Sequence, residues 1–228
     1  MDLPADPRVR LAAGTAALLA TAMSARHDRV GPGEAAAFRA VNGLRDSAYP
    51  YAWAVMQLGA LGAVPAAAGT AWLAGDRELA GRLLANGTGA WVLSKAVKRI
   101  VRRPRPASLV PGTHRRGREA AGLGYLSGHA GVAVALGAAA LPRLGRAGRT
   151  LTLTAVPVVG LTRIYVGAHL PLDVAGGAAL GLVIDAAITL VIDGTARPQA
   201  RRPAQISSGS IWIAPHGHSA TQMPQPLQ

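Results

Sequence analysis

The sequence predicts an all-α integral membrane protein, a bundle of about six transmembrane helices with its functional site at one membrane face. Half of the 228 residues are hydrophobic and only 15% are charged. The mean hydropathy of +0.25 is too high for an ordinary soluble domain of this size. Six mostly apolar segments approach the roughly 20 residues that a spanning helix needs. These observations together indicate a polytopic membrane protein.

The six apolar segments cover residues 10–25, 51–74, 79–97, 124–141, 150–168 and 172–193. We expect all of them to be helical, because the bilayer core offers no water to hydrogen-bond an irregular backbone. The first, preceded by Arg8 and Arg10, also resembles a signal peptide, but no small-residue cleavage site follows and a retained helix is favoured. In the sixth, Gly177 and Gly181 are four residues apart, which predicts close helix packing.

Two of the stretches outside these segments have a recognisable composition. Residues from Glu34 to Leu44 are mildly amphipathic, with Phe38 and Val41 on the apolar side. They are predicted to lie along the membrane surface, with a plain connecting loop as the alternative. The membrane domain is assigned to residues 1–194. Residues 195–228, rich in Pro, Ser, Gln and Arg, are predicted to form a disordered cytoplasmic tail, with His216 and His218 as tail residues rather than metal ligands.

Chemically distinctive residues form three clusters at the edges of the later segments. The clusters are Lys98 with Arg105-Pro106, then Ser127-Gly128-His129, then Arg163 with His169 and Asp173. Three cations, two of them arginines that can hold two oxygens at once, suit a phosphate group. Ser127 and Gly128 precede an apolar run, where a helix N-terminus would present free amides to an anion. The three clusters therefore predict one phosphate-binding site.

The two histidines permit a division of labour. One can attack phosphorus as a neutral imidazole, and the other can donate a proton to the leaving group. Asp173 lies about one helical turn after His169, with Pro171 marking a helix start between them. A carboxylate at this spacing can fix the tautomer of the imidazole and stabilise the imidazolium.

These clusters resemble the signature of the type 2 phosphatidic acid phosphatase superfamily, which also contains the vanadium-dependent haloperoxidases. The family pattern is Lys, six residues and Arg-Pro; then Pro-Ser-Gly-His; then Ser-Arg, five residues, His, three residues and Asp. The chain departs from it only at Leu126, where the family usually has Pro, and at Thr162, where it usually has Ser.

The resemblance implies a role for each matching residue. His169 is expected to be the nucleophile that forms a phosphohistidine, His129 the general acid, and Asp173 the partner of His169. The expected phosphate-binding residues are Lys98, Arg105, Ser127, Gly128 and Arg163. No metal or other cofactor is expected.

The implied activity is hydrolysis of a lipid-linked phosphate monoester or diphosphate. Richness in Ala, Gly and Arg is typical of a GC-rich bacterial genome, which favours a polyprenyl (undecaprenyl) diphosphate as substrate. Phosphatidylglycerol phosphate and phosphatidic acid are the alternatives within the family. Two rival classes are a haloperoxidase that uses vanadate at the same residues and a non-catalytic protein that binds lipid phosphates, for which Leu126 is the one encouraging motif feature.

The charge distribution bears on partners and orientation. A net charge of +13 with so few aromatic residues offers no basic-aromatic platform for nucleic acid, so anionic lipid is the expected counterpart. Nine Lys and Arg between Lys95 and Arg118, together with Arg163, are assigned to phosphate binding. The remaining basic residues number ten on the side of the termini and four on the other. Both termini are therefore predicted in the cytoplasm and the site on the exterior face of a bacterial plasma membrane. No pattern indicates an oligomeric state.

Asp185 is a carboxylate well inside the sixth segment, about 18 Å along the helix from Asp173. That separation is too large for a direct role at the phosphate. A structural bond to a polar group on a neighbouring helix is predicted, with Asn86 or Thr88 as the expected partner.

Overall fold

The computed structural model describes residues 6–26, 29–118 and 121–200, and this part of the chain contains nine α-helices and no strand. The helices are α1 (Pro7–Ala25), α2 (Pro32–Asn42), α3 (Tyr49–Met56), α4 (Ala63–Leu73), α5 (Arg77–Val101), α6 (Pro106–Leu109), α7 (Gly128–Ala140), α8 (Arg146–Tyr165) and α9 (Pro171–Ala200). The all-helical prediction is confirmed for these residues.

Local sequence signals account for several helix starts. Asp6 and Asp76 cap α1 and α5, accepting the backbone N–H groups of Arg8 at 2.8 Å and Leu79 at 2.9 Å. Ser127 caps α7 in the same way. Pro7 and Pro171 occupy first-turn positions, where the missing N–H of proline costs no intrahelical bond. These caps provide partners for donors that would otherwise be unpaired at the helix ends.

Each of the six apolar segments contains an α-helix, but two of the segments are not single membrane-spanning helices. The second is divided into α3 and α4, and the chain bends by 66° between Asp46–Gly59 and Ala63–Leu73. The fourth begins its helix only at Gly128, so α7 has 13 residues and is about 20 Å long, shorter than a hydrocarbon core. In the described part, one helix, Pro171–Thr195, has the length and mean hydropathy (2.0) of a membrane span, and the bent pair qualifies only as a unit.

Helix α7 is the centre of the bundle. Nine of its residues are buried, and it packs against α5, α8 and α9. The contact with α9 depends on glycine, because a Cβ on Gly177 would overlap the carbonyl of Ser127 and one on Gly181 would overlap the carbonyl of Gly131. The predicted close packing at Gly177 and Gly181 is confirmed.

Helix α2 covers most of residues 34–44. The stretch is helical rather than a loop, and its apolar side packs on the protein, while its place along the membrane surface stays a prediction. Phe38 is 1% exposed and packs against Val110, Ile164 and Leu170. The amphipathic pattern therefore reflects packing on the protein itself, and it brings Glu34 to the N-terminus of α9.

The prediction for Asp185 is wrong in its partner. Asp185 is buried and pairs with Arg10 of α1, the two side chains being 3.4 Å apart. Asn86 instead donates to the carbonyl of Arg82 at 3.0 Å. Helix α9 continues to Ala200, past the predicted domain boundary at 194. The rest of the predicted tail, residues 201–228 with His216 and His218, lies outside the described residues.

Candidate active site

The three sequence clusters meet at one end of the bundle. The C-terminal ends of α5 and α8 lie there beside the N-terminal ends of α7 and α9. A cavity of about 1360 Å³ opens at this end, and Arg105, His129 and Arg163 line it. The chain therefore brings residues as far apart as Arg105 and Arg163 to one cationic cavity.

His169 lies in the short loop between α8 and α9 and is almost fully buried. Its Nε2 is 3.2 Å from Nη1 of Arg105. A guanidinium can only donate, so Nε2 accepts and the ring proton is assigned to Nδ1. Burial lowers the pKa of His169 well below 6.5, and the positive charges of Lys98, Arg163 and Arg105 add to this shift. The ring is thus neutral, with the lone pair on Nε2.

Asp173 faces the other ring nitrogen. Its Oδ2 is 3.7 Å from Nδ1 of His169, too long for a hydrogen bond, and accepts the N–H of Leu170 at 2.8 Å. Nδ1 of His169 has no hydrogen-bond partner within the described residues. The backbone carbonyl of Asp173 accepts the N–H of Ser127 at 2.8 Å. This bond joins the second and third sequence clusters.

Arg103 and Glu34 belong to the same network, and sequence reasoning missed both. The Arg103 side chain is fully buried and donates to Asp173 Oδ1 at 3.0 Å and to both carboxylate oxygens of Glu34, at 3.0 and 2.7 Å. In the sequence, Arg103 is one of several arginines in a basic run assigned to phosphate. No local signal separates it from its neighbours, because its partners are about seventy residues away.

Lys98, Ser127 and Gly128 lie at the centre of the site, but their polar groups mainly hold the backbone. Nζ of Lys98 donates to the carbonyls of Leu123 and Gly124, both at 3.1 Å, and to that of Leu126. These bonds account for all three ammonium protons. The Ser127 hydroxyl caps α7 by accepting the N–H of Ala130 at 3.3 Å, and its own N–H goes to Asp173.

The amides of Gly128 and His129 lie in the first turn of α7, where the helix supplies no carbonyl acceptor. They also begin a helix whose dipole favours an anion. A Cβ on Gly128 would come within 3.2 Å of the hydroxyl of Ser94, so glycine keeps this turn close to α5. The amides of Gly128 and His129 are therefore the backbone donors that could meet an anion, whereas the amide of Ser127 is bonded to Asp173.

Arg105 and Arg163, the two arginines of the sequence clusters, both line the cavity. Arg105 donates to the carbonyls of Ala168 at 2.7 Å and Ala121 at 2.9 Å, which hold its fork beside His169. Arg163 is 8% exposed, its Nη1 contacts the sulfur of Met56, and its buried Nε has no acceptor in the described part of the chain. Because Arg163 also lines the cavity, its guanidinium can meet an incoming phosphate oxygen.

The site combines a buried neutral imidazole, a neighbouring carboxylate, a second histidine and arginines that line the cavity. This combination defines the class of helical proteins with a phosphate-binding site. The chain belongs to the PAP2 superfamily, whose family model matches residues 79–197. The family resemblance drawn from the three clusters is confirmed.

Named relatives agree with this assignment. The chain is 38% identical over 122 residues to the decaprenylphosphoryl-5-phosphoribose phosphatase of Mycobacterium tuberculosis, a match that covers 52% of this chain and 66% of that protein. The fold is similar to the crystal structure of LpxE from Aquifex aeolicus, with a TM-score of 0.61, 22% identity and coverage of 68% of this chain and 92% of that one.

A second solved structure has the same fold over more of the chain. It is the transmembrane PAP2 type phosphatidylglycerolphosphate phosphatase from Bacillus subtilis, with a TM-score of 0.63 and 22% identity, covering 85% of this chain and 99% of that one. The family and the named phosphatase relative support the prediction of a phosphoric ester hydrolase.

Proposed function

We propose that the protein is a bacterial membrane phosphatase that hydrolyses a lipid-linked phosphate through a phosphohistidine on His169, without a metal. The observation that carries this proposal is the arrangement of His169: a buried, neutral ring whose Nε2 accepts from Arg105 beside a cavity lined by His129 and Arg163. Such a ring is a nucleophile already next to the cations that an attacked phosphate requires.

In the first step, Nε2 of His169 attacks phosphorus and the bond to the lipid oxygen breaks. The negative charge of the bound phosphate favours the protonated form of His129, which lies on the cavity wall and gives this proton to the leaving oxygen. Arg105 and Arg163, with the first-turn amides of α7, hold the equatorial oxygens, where negative charge is spread in the transition state. Asp173 closes on Nδ1 and stabilises the imidazolium as the N–P bond forms.

In the second step, His129, now neutral, takes a proton from water. The water oxygen attacks phosphorus, and the N–P bond breaks. Inorganic phosphate leaves, and His169 returns to its neutral form with His129 protonated again. Lys98 supports both steps by holding the 123–126 loop through three of its carbonyls.

The cavity supports a headgroup larger than a single phosphate. Its volume of about 1360 Å³ exceeds what one phosphate fills, and Arg115 and Arg118 line it in addition to the arginines of the site. Arg116 between them is fixed by Asp46 at 2.7 Å and by the carbonyls of Asn42, Leu44 and Tyr165. An anchored loop with further cations suits a diphosphate or a phosphorylated sugar attached through a second phosphate.

A polyprenyl chain is the best candidate for the lipid part of the substrate. Trp53 and Met56 of α3 line the same cavity, and Trp53 is half exposed on the outer surface, so an apolar chain can leave the cavity along α3. The decaprenyl phosphoribose named in the mycobacterial relative combines such a chain with two phosphates. We propose a substrate of this class, with polyprenyl diphosphate as the simpler form.

We further propose that six segments cross the membrane, with α3 and α4 forming one broken span, the termini in the cytoplasm and the site on the exterior face. Arginines on α1, α5 and α8 lower the hydropathy of these helices. Several are used internally, as in the pairing of Arg10 with Asp185 and the bond from Arg82 to Thr189 at 2.9 Å.

The test is phosphate release by purified protein in detergent, with EDTA present, from polyprenyl diphosphate, polyprenyl phosphoribose phosphate, phosphatidylglycerol phosphate and phosphatidic acid. We expect release from the polyprenyl substrates by wild type and none by His169→Ala. Preference for phosphatidylglycerol phosphate or phosphatidic acid would overturn the substrate assignment. Release that EDTA abolishes would overturn the metal-free chemistry.

A further inference from the structure

We propose that Arg103 and Glu34 are positioning residues for catalysis: they hold the carboxylate of Asp173 in place to support His169, and they do not bind the substrate phosphate. This inference rests on the proposed reaction at His169. It assigns a function to α2, which the family match over residues 79–197 does not include.

The contacts form a continuous chain from α2 to His169. Glu34 binds Arg103 through both oxygens, at 3.0 and 2.7 Å. Arg103 binds Asp173 Oδ1 at 3.0 Å, which leaves Oδ2 directed to the Leu170 N–H and towards Nδ1 of His169. A two-point guanidinium contact restricts the rotation of its partners more than a single ammonium contact does.

Arg103 differs in its burial from the arginines that are proposed to bind phosphate. The side chains of Arg103 and Asp173 are both 0% exposed, and neither residue lines the cavity, whereas Arg105 and Arg163 do. Three of the five donor protons of Arg103 are used by Glu34 and Asp173. Arg103 is therefore a partner of carboxylates, although it lies two residues before a phosphate-binding arginine.

Glu34 also acts on the backbone. Its Oε1 accepts the N–H of Leu172 at 3.1 Å, in the first turn of α9. That turn carries Asp173 and follows directly on the loop that carries His169. Glu34 thus fixes both the guanidinium that holds the carboxylate and the helix start from which the carboxylate projects.

For catalysis, the distance between the Asp173 carboxylate and the His169 ring must stay small. Oδ2 of Asp173 is 3.7 Å from Nδ1 and must close to hydrogen-bond distance when the ring becomes an imidazolium. A displacement of about 1 Å at a reacting group can reduce the rate roughly 100-fold. Loss of Arg103 should therefore slow turnover while leaving the cavity, and hence substrate binding, nearly unchanged.

The experiment compares kcat, KM and thermal unfolding for Arg103→Gln, Glu34→Gln and the double variant, on whichever lipid the wild type hydrolyses. We expect Arg103→Gln to lower kcat by roughly 100-fold and Glu34→Gln by about tenfold, with KM changed less than about twofold. Arg105→Gln, in contrast, should raise KM. Arg143→Gln is the matched control, since Arg143 also binds two carboxylates, Asp76 and Glu78, both at 2.9 Å, at the opposite end of α7.

The double variant separates positioning from folding. Arg103→Gln alone leaves two carboxylates, Glu34 and Asp173, without their guanidinium partner, whereas the double variant leaves only Asp173. Stability should therefore recover in part. A kcat that stays low in a stable double variant supports positioning. A kcat that recovers with stability, or a raised KM with normal kcat in Arg103→Gln, would overturn the inference. A wild type without turnover on any lipid would instead reject the proposed function, and with it the reaction that Arg103 is meant to support.

Discussion

At the scale of single residues, the cationic side chains of the site differ in the groups that they contact. Arg105 and Arg163 reach the cavity, Lys98 binds three backbone carbonyls, and Arg103 binds carboxylates. Arg105 also donates to the nitrogen that is proposed to attack phosphorus. An incoming phosphate offers that guanidinium better acceptors, so substrate binding itself would free the lone pair of His169.

The two histidines should differ in what their removal does. His169→Ala removes the nucleophile and should abolish turnover, whereas His129→Ala should reduce kcat by about 10² to 10⁴ through loss of general acid catalysis. The measurement is single-turnover phosphate release. Normal release by the His169 variant, or an equal and complete loss in both, would contradict the assigned roles.

The buried ring of His169 also predicts a pH dependence of stability. Burial lowers its pKa in the folded state, while the unfolded ring titrates near 6.5. Below pH 6.5 the unfolded state therefore binds a proton that the folded state does not, and the free energy of unfolding falls as the pH falls.

Between pH 7.5 and 5.5 this ring should remove about 1.4 kcal/mol of stability from the wild type, and His169→Asn should lack that component. Reversible unfolding of both proteins at the two pH values measures the difference. Identical pH dependence in the two proteins would show that His169 is not held neutral.

The sequence identified the residues that are proposed to carry the chemistry, but not those that are proposed to support them. Lys98, Arg105, His129 and the third cluster are identified by residue type and short spacing. Glu34 and Arg103 are paired across 69 positions, and nothing local marks either. Their roles depend on how α2 packs, and the amphipathic pattern of α2 indicates an apolar side without saying what covers it.

At the scale of helices, the site depends on how closely α9 approaches α7. Gly177 lies against the carbonyl of Ser127, the residue whose N–H bonds to Asp173. The spacing of Gly177 and Gly181 made this contact predictable. The break between α3 and α4 and the short α7 were not predictable, because hydropathy cannot separate a helix from an apolar loop held by Lys98.

Gly177→Ala should reduce both stability and kcat, because the added methyl would displace the carbonyl of Ser127 and the start of α7. The control is Gly194→Ala in the same helix, where a Cβ meets no atom within 4 Å. Alanine there should be neutral or stabilising by up to about 1 kcal/mol through helix propensity. Thermal unfolding and kcat of both variants test this, and a Gly177 variant as stable and active as the control would contradict it.

At the scale of the whole molecule, the proposed orientation places the cavity and the 106–124 loop outside the cell and the α4–α5 and α7–α8 connections inside. The chain contains no cysteine, so single cysteines can report orientation on an otherwise native background. Ser108 and Gly145 lie in an outer and an inner connection. Ser108 is exposed, and a Cβ at Gly145 meets no atom within 4 Å.

In intact cells, a membrane-impermeant thiol reagent should label Ser108→Cys and spare Gly145→Cys until the membrane is permeabilised. The opposite pattern would invert the proposed topology. Labelling of both in intact cells would contradict a membrane barrier between the two ends of the bundle.

The central claim, a covalent phosphoenzyme on His169, is tested most directly by rapid quenching of the wild type with substrate labelled in the phosphate to be released. We predict a protein-bound phosphate that is stable to alkali, labile to acid and located on His169 by peptide mass spectrometry, and absent from His169→Ala. Turnover without any labelled protein, or label on another residue, would contradict the account.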